Sequence, residues 1–197
     1  MLVLPAQGSD ALNMKTRRIA LPISDKDIRS LKCGDSVLLT GSMLTARDAS
    51  HKMITEALTA GADLPFDLDG QTIYYTGPTP TRPGYVVGSA GPTTSSRMDR
   101  YTPALLGQGL KCMIGKGRRS AEVRKKMLKS RAVYLAATGG AGALLSRSIK
   151  RIEPVAYAEL GAEAVYRLEV KDFPAVVIND IYGGDLYEKG QAAYRKG

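Results

Sequence analysis

The chain has 197 residues, 44% of them hydrophobic, which fits one globular domain or two small ones and excludes a disordered or fibrous class. Lys and Arg number 28 against 19 Asp and Glu, a formal net charge of +9, so the favoured partners are acidic: nucleic acid, an anionic membrane face, an acidic subunit, or small carboxylates and phosphates. Two cysteines, Cys33 and Cys112, exclude a disulfide framework, a four-cysteine zinc site and an iron-sulfur cluster held by cysteines of this chain alone.

The opening Met1-Leu2-Val3-Leu4-Pro5 lacks the basic flank and apolar length of a signal peptide, and no run of about 18 apolar residues spans a bilayer. A cytoplasmic, reduced protein is the expectation. Met14-Lys15-Thr16-Arg17-Arg18 reads like a natural start, so 1–13 is given no functional weight. The expected division is an N-terminal extension over 1–17, one domain over 18–188 and a C-terminal tail over 189–197.

In chain order, 18–23 reads as a strand, and Ser24 with Asp27 opens a short helical turn towards Leu31. After a turn at 32–35, the β-rich stretch 36–43 follows, and Thr45 caps a helix over 46–59 that ends at Gly61. A strand at 72–76 runs into a Pro- and Gly-rich segment, 77–84, which suits neither a helix nor a central strand. A further strand is expected at 85–89, broken by Gly91-Pro92, and 93–96 leads into a helix reaching Leu106. Then come a strand at 111–114, the turn Gly115-Lys116-Gly117, a helix at 120–129, a strand at 132–136, and a Gly139-Gly140 turn before an apolar helix near 143–146. This repeated grammar of strand, Gly-rich turn and helix predicts an α/β fold with a substantially parallel sheet. The last third is β-rich at 155–157, 164–170 and 175–179, punctuated by Gly161 and Phe173-Pro174, and adds strands to the same domain.

Four Gly-containing turns follow expected strands: Gly41, Gly91-Pro92, Gly115-Lys116-Gly117 and Gly139-Gly140. Ligands collect beyond the carboxyl ends of strands in α/β folds because helix N-termini direct free N–H groups there. Nearby lie Arg47 and Asp48, then Thr93, Thr94, Ser95, Ser96 and Arg97, then Lys116. Guanidinium and ammonium groups beside N–H donors suit a dianion. Each feature also has a plainer reading. Gly-Pro and Gly-x-Gly are commonly only turns, Arg47-Asp48 is a possible exposed pair, and Arg97 a solvated helix residue. The basic run of Arg118, Arg119, Arg124, Lys125, Lys126, Lys129 and Arg131 reads as a solvated face over buried Val123, Met127 and Leu128; without interleaved aromatics it is a poor nucleic-acid site. His51, the single histidine, shares a helical face with Arg47 and either orients a site residue or packs. No metal site is expected on this chain.

Taken together, Gly34-Asp35, Thr40-Gly41, Thr45-Ala46-Arg47-Asp48-Ala49-Ser50-His51-Lys52, Tyr75-Thr76-Gly77-Pro78, Gly91-Pro92-Thr93-Thr94-Ser95-Ser96-Arg97-Met98-Asp99 and Ile114-Gly115-Lys116-Gly117 resemble the class I fumarase and L(+)-tartrate dehydratase family. The likeness is to its β subunit, equivalent to the C-terminal domain of the single-chain enzymes, and runs from about residue 18 to 187.

The resemblance implies a single swivelling β/β/α domain within a [4Fe-4S] hydro-lyase that hydrates fumarate reversibly to (S)-malate. It implies a separate α subunit holding the cluster, a hetero-oligomer such as α2β2, and a β chain inactive alone. Residue by residue, it makes Arg47, Arg97 and Lys116 substrate contacts, Thr93 the general base, and Asp48, His51 and Thr94 supporting neighbours. The stretches Glu159-Leu160-Gly161-Ala162-Glu163-Ala164-Val165-Tyr166 and Val170-Lys171-Asp172-Phe173-Pro174-Ala175 look more like the fumarase branch than the tartrate branch. Ser50 departs from the small apolar residue frequent in the family, and 179–185 varies a common Asp/Gly-rich turn. A tartrate or related 2-hydroxy-diacid dehydratase subunit is the alternative within the enzyme class, and a basic polyanion- or RNA-binding module the alternative outside it.

Overall fold

The computed structural model describes residues 16–81, 83–138 and 140–194; residues 1–15 of the expected extension over 1–17, and Gly139 of the fourth turn, lie outside them. Five strands run parallel in sequence order: β1 (Arg17–Leu21), β2 (Ser36–Thr45), β3 (Thr72–Tyr74), β4 (Cys112–Gly115) and β5 (Val133–Ala136). β7 (Val165–Asn179) lies antiparallel to β5, to β6 (Ile149–Ala156) and to β2. Because β7 reaches both β5 and β2, the mixed sheet curls into a barrel-like closed arrangement.

The helices α1 (Asp25–Ser30), α2 (Asp48–Thr59), α3 (Thr102–Gly107), α4 (Ala121–Ser130), α5 (Gly142–Leu145) and α6 (Leu186–Tyr194) connect or follow the strands. Alternation along β4 and β5 divides the core. Cys112, Ile114, Val133 and Leu135 join the cluster containing Leu39, Phe173 and Val177, whereas Met113 and Tyr134 join Ile54, Leu105, Val123 and Met127 from the helices. Strands buried on both faces in this way are written as continuous apolar runs.

Several expected boundaries move for identifiable reasons. β2 continues through Thr45, whose Oγ1 accepts the Tyr166 N–H at 3.0 Å, so this threonine serves the sheet and Arg47 becomes the cap of α2. Gly41 is therefore not a turn residue: it sits inside β2 at φ 127°, where a Cβ would overlap the Leu21 carbonyl. The stretch 85–89 forms no strand. It folds back on Thr79, whose N–H donates to the Ser89 carbonyl at 2.9 Å and whose Oγ1 accepts the Ser89 N–H at 2.7 Å, leaving Tyr85 and Val86 exposed. The two strands expected at 164–170 and 175–179 are one strand. Phe173 and Pro174 fall between the β6 and β5 pairings on one edge of the strand and pair with Leu39 and Leu38 of β2 on the other, so the strand runs through the proline.

Candidate functional site

Three parallel strands end side by side at the candidate site. β2 delivers Arg47 and Asp48 to the first turn of α2, β3 leads to Tyr75, Thr76 and Gly77, and β4 leads to Lys116. The segment after Gly91 is sewn between the last two. Thr93 N–H donates to the Tyr75 carbonyl at 2.6 Å, Lys116 N–H to the Thr93 carbonyl at 3.1 Å, and Ser95 N–H to the Lys116 carbonyl at 2.8 Å. This close approach depends on Gly115, where a Cβ would overlap Ser95 Oγ and stand 2.9 Å from the Tyr75 ring. The 3-10 turn Ser95–Met98 then brings Arg97 to Asp48: Nε donates to Oδ1 at 2.9 Å, and Nη2 lies 2.7 Å from Oδ2.

The start of α2 is built from its own sequence. Arg47 carries no side-chain acceptor, so Ser50 Oγ takes the Arg47 N–H at 2.8 Å and donates back to the Arg47 carbonyl at 3.2 Å. The polar hydroxyl that departs from the family habit thus has a capping role. His51 Nδ1 lies 2.8 Å from the same carbonyl, which fixes the proton on Nδ1, while Nε2 is buried without a partner. Its ring meets Tyr75 edge-on at 5.2 Å. Burial, reinforced by the charge of Arg119, pushes the His51 pKa down to about 4, so the imidazole is neutral around pH 7.

Arg47 and Asp48 are half-buried, as is Thr93; Thr94, Arg97 and Lys116 are exposed, and His51 is fully buried beneath them. The expected helix from 93–96 to Leu106 is instead the 3-10 turn followed by α3, so Thr93 and Arg97 are not related by one turn of a helix. Arg47 faces a carboxylate that residue-by-residue reading did not mark. Glu163 Oε1 lies 3.3 Å from Arg47 Nη2, and Glu163 Oε2 accepts the Ala49 N–H at 2.8 Å.

Arg119 corrects the reading of the basic run as a solvated face. It is 4% exposed, with Nε donating to Asp99 Oδ1 at 2.7 Å, Nη1 to the Tyr75 hydroxyl at 3.1 Å and Nη2 to Thr102 Oγ1 at 2.6 Å. The Arg119 guanidinium also lies over the Tyr134 ring, 5.2 Å from its centre, and Tyr134 reaches the Gly115–Gly117 turn: its hydroxyl bonds Ser95 Oγ at 2.8 Å and donates to the Gly117 carbonyl at 2.9 Å. Leu128, expected beneath the run, is exposed, and Arg124 is engaged with Asp185 and Glu188. The signal that could have set Arg119 apart from Arg124, Lys125, Lys126 and Lys129 is its place, with Arg118, between Gly117 and the α4 cap Ser120, off the helix that carries those four.

The residues present do not fit a [4Fe-4S] cluster. Cys112 lies in the core of β4 with its thiol pushed up to about 12 by burial, and Cys33 lies in the turn before β2, its thiol also raised by burial. Among the described residues no three His, Cys, Asp or Glu side chains converge to hold a metal ion, and no helix is long and apolar enough to cross a membrane.

Residues 3–190 match the family model described as fumarase C-terminus. The chain is 42% identical over 153 residues to "Fumarate hydratase class I, anaerobic" of Escherichia coli strain K12, covering 77% of this chain and 28% of that protein. It is 41% identical over 158 residues to "Fumarate hydratase 2" of Leishmania major, covering 79% of this chain and 28% of that protein. A Methanocaldococcus jannaschii protein provisionally named L(+)-tartrate dehydratase subunit beta is 40% identical over 173 residues, covering 85% of this chain and 89% of that one. The chain thus spans about a quarter of the fumarate hydratases it matches and nearly all of a protein named as a subunit. On this evidence the chain belongs to the fumarase C-terminus family.

Proposed function

We propose that this chain is the dicarboxylate-gripping β subunit of a two-subunit fumarate hydratase of class I type, a hydro-lyase that adds water reversibly to fumarate to give (S)-malate. The observation that carries the reading is the side-on pair between Arg97 and Asp48. Asp48 Oδ1 accepts the Nε–H, and Oδ2 lies 2.7 Å from Nη2 as an ion-pair contact without a hydrogen bond; this holds the guanidinium at its Nε side and leaves the Nη1–Nη2 edge as a fork for a second carboxylate. Arg47 and Lys116 stand at the ends of the neighbouring strands, so a dianion meets cations on more than one side. Thr93, whose carbonyl accepts the Lys116 N–H, is the group assigned to hold and release the carbon-bound proton. Asp48, His51 and Thr94 support these contacts.

On this reading the domain occupies 18–188, with 1–17 and 189–197 as extension and tail, and its Gly-rich turns let the domain swivel onto the partner. The [4Fe-4S] cluster implied by the resemblance belongs to an α subunit, the assembly is a hetero-oligomer such as α2β2, and the complex is cytoplasmic. The relative named as a tartrate dehydratase subunit favours a second reading, in which the diacid is L(+)-tartrate. Turnover of fumarate, malate and tartrate by one assembled preparation separates the two.

Arg97→Lys tests the grip. An ammonium keeps the charge but cannot hold Asp48 and a substrate carboxylate through one plane. In a folded, assembled complex the specificity constant for fumarate should fall roughly ten- to hundredfold, as expected for a lost charge-assisted contact. Unchanged kinetics would contradict the assignment of Arg97.

A further inference from the structure

Glu163 enters the site from the far side of the sheet connection. It closes the short 3-10 segment Ala158–Glu163 between β6 and β7, yet its two carboxylate oxygens reach the start of α2. Oε2 takes the Ala49 N–H, one of the donors that a helix leaves free in its first turn, and Oε1 faces Arg47 Nη2. On its other side the Arg47 guanidinium lies against Gly77, where a Cβ would come 2.7 Å from Nη1 and 3.0 Å from the Ala162 carbonyl. Arg47 is therefore held in a slot made of β3's exit, the backbone of Ala162 and the Glu163 carboxylate. Its Nε is buried and unpartnered, so the guanidinium has no hydrogen-bonded anchor there to replace Glu163.

We propose that Glu163 is a positioning residue for the dicarboxylate grip: it fixes the Arg47 guanidinium against the first turn of α2 so that its remaining donors meet a substrate carboxylate. The inference rests on the reading that Arg47 contacts substrate. It runs against the sign of simple electrostatics. Two carboxylates, Asp48 and Glu163, sit beside the cations of a site meant for a dianion, and each lowers the net attraction. Glu163 offsets that cost through orientation, as a guanidinium left to sample rotamers loses entropy on every binding event. Glu163→Gln separates the two effects. Its amide oxygen can still accept the Ala49 N–H, but the charge facing Arg47 is gone. If charge alone mattered, KM for fumarate would fall; if positioning dominates, KM rises.

The test uses the assembled complex for kinetics and the isolated chain for nitrogen-15 NMR of the arginine side chains. Arg47→Lys identifies the Arg47 Nε–H signal by deleting it. Glu163→Gln should broaden that signal or move it to the free-arginine position, while KM for fumarate and malate rises roughly five- to tenfold and kcat changes less. Glu163→Asp, with the charge restored on a shorter stem, should recover part of the loss. In the Arg47→Lys background the Glu163→Gln effect on KM should disappear, because Glu163 acts through Arg47. A KM that falls or stays constant, an Arg47 signal that does not change, or a full Glu163→Gln effect in the Arg47→Lys background would each overturn the inference. A wild-type complex that hydrates no diacid would instead overturn the proposed function, whatever the NMR result.

Discussion

His51 has its Nδ1–H on the Arg47 carbonyl and nothing at Nε2, so protonating it would bury a cation in the neighbourhood of Arg119. The ordinary histidine value is 6.5, and burial brings the folded value to about 4. Between these values the unfolded chain binds a proton that the folded chain refuses. Stability is therefore complete above about pH 6.5 and falls as pH drops towards 4, by up to about 3 kcal/mol from this residue. Urea unfolding of the isolated chain across that window should show the slope, and His51→Gln should flatten it; an unchanged slope would assign it to other groups. Thr93 makes a different prediction. Thr93→Val keeps the branched shape and removes the hydroxyl, whereas Thr93→Ser keeps the hydroxyl. If Thr93 moves the proton, Val lowers kcat by roughly 10² to 10⁴ in the assembled complex while Ser keeps much of it. Thr93 caps no helix, since the 3-10 turn begins at Ser95 with Thr94 before it. Near-normal kcat in Thr93→Val would remove Thr93 as the base.

Among the elements, the turn after β4 and the segment 93–99 are held from behind by one buried guanidinium. Arg119 bonds Asp99, Thr102 and Tyr75, and its charge lies over the rings of Tyr75 and Tyr134. Arg119→Met removes the charge and leaves Asp99 and two hydroxyls to be resatisfied, at a cost of about 3 kcal/mol of stability. Thermal unfolding should show a clear loss, and a variant as stable as the wild type would mean that water or rearrangement replaces the network. The sequence spoke clearly about elements whose signals are local. Ser24 and Ser120 each accept an N–H three residues on, as caps do, and the β-rich run at 36–43 lies within β2. It was silent where a partner distant in the chain decides. Thr45 looked like a cap because its sheet partner Tyr166 lies 121 residues away, and Glu163 was invisible as a partner of Arg47 because no periodicity joins β7's approach to α2. Arg47, Asp48 and Arg97 were legible as residues beside the Gly-containing turns, but not as a pair, since spacing alone cannot join Arg97 to Asp48 across 49 residues.

At the scale of the whole molecule, β7 determines what the parallel strands become. An open sheet of β1 to β5 would resemble many nucleotide-binding folds, but β7 pairs with β2 and β5 and closes the sheet on itself. The ends of β2, β3 and β4 are thereby fixed beside one another, and a cationic site is presented on a surface with no metal ligands of its own among the described residues. On the proposed function, the remaining machinery belongs to a partner, in keeping with a chain equal to about a quarter of the fumarate hydratases yet nearly all of a relative named as a β subunit. The most direct test is a fumarate-hydration assay on this chain, alone and after anaerobic co-expression with an iron-sulfur α subunit of the same family. The account predicts no turnover by the isolated chain, even after incubation with iron and sulfide, and turnover by the purified complex. Hydration of fumarate by the isolated chain, or an assembled, cluster-loaded complex inert towards fumarate, malate and tartrate alike, would contradict it.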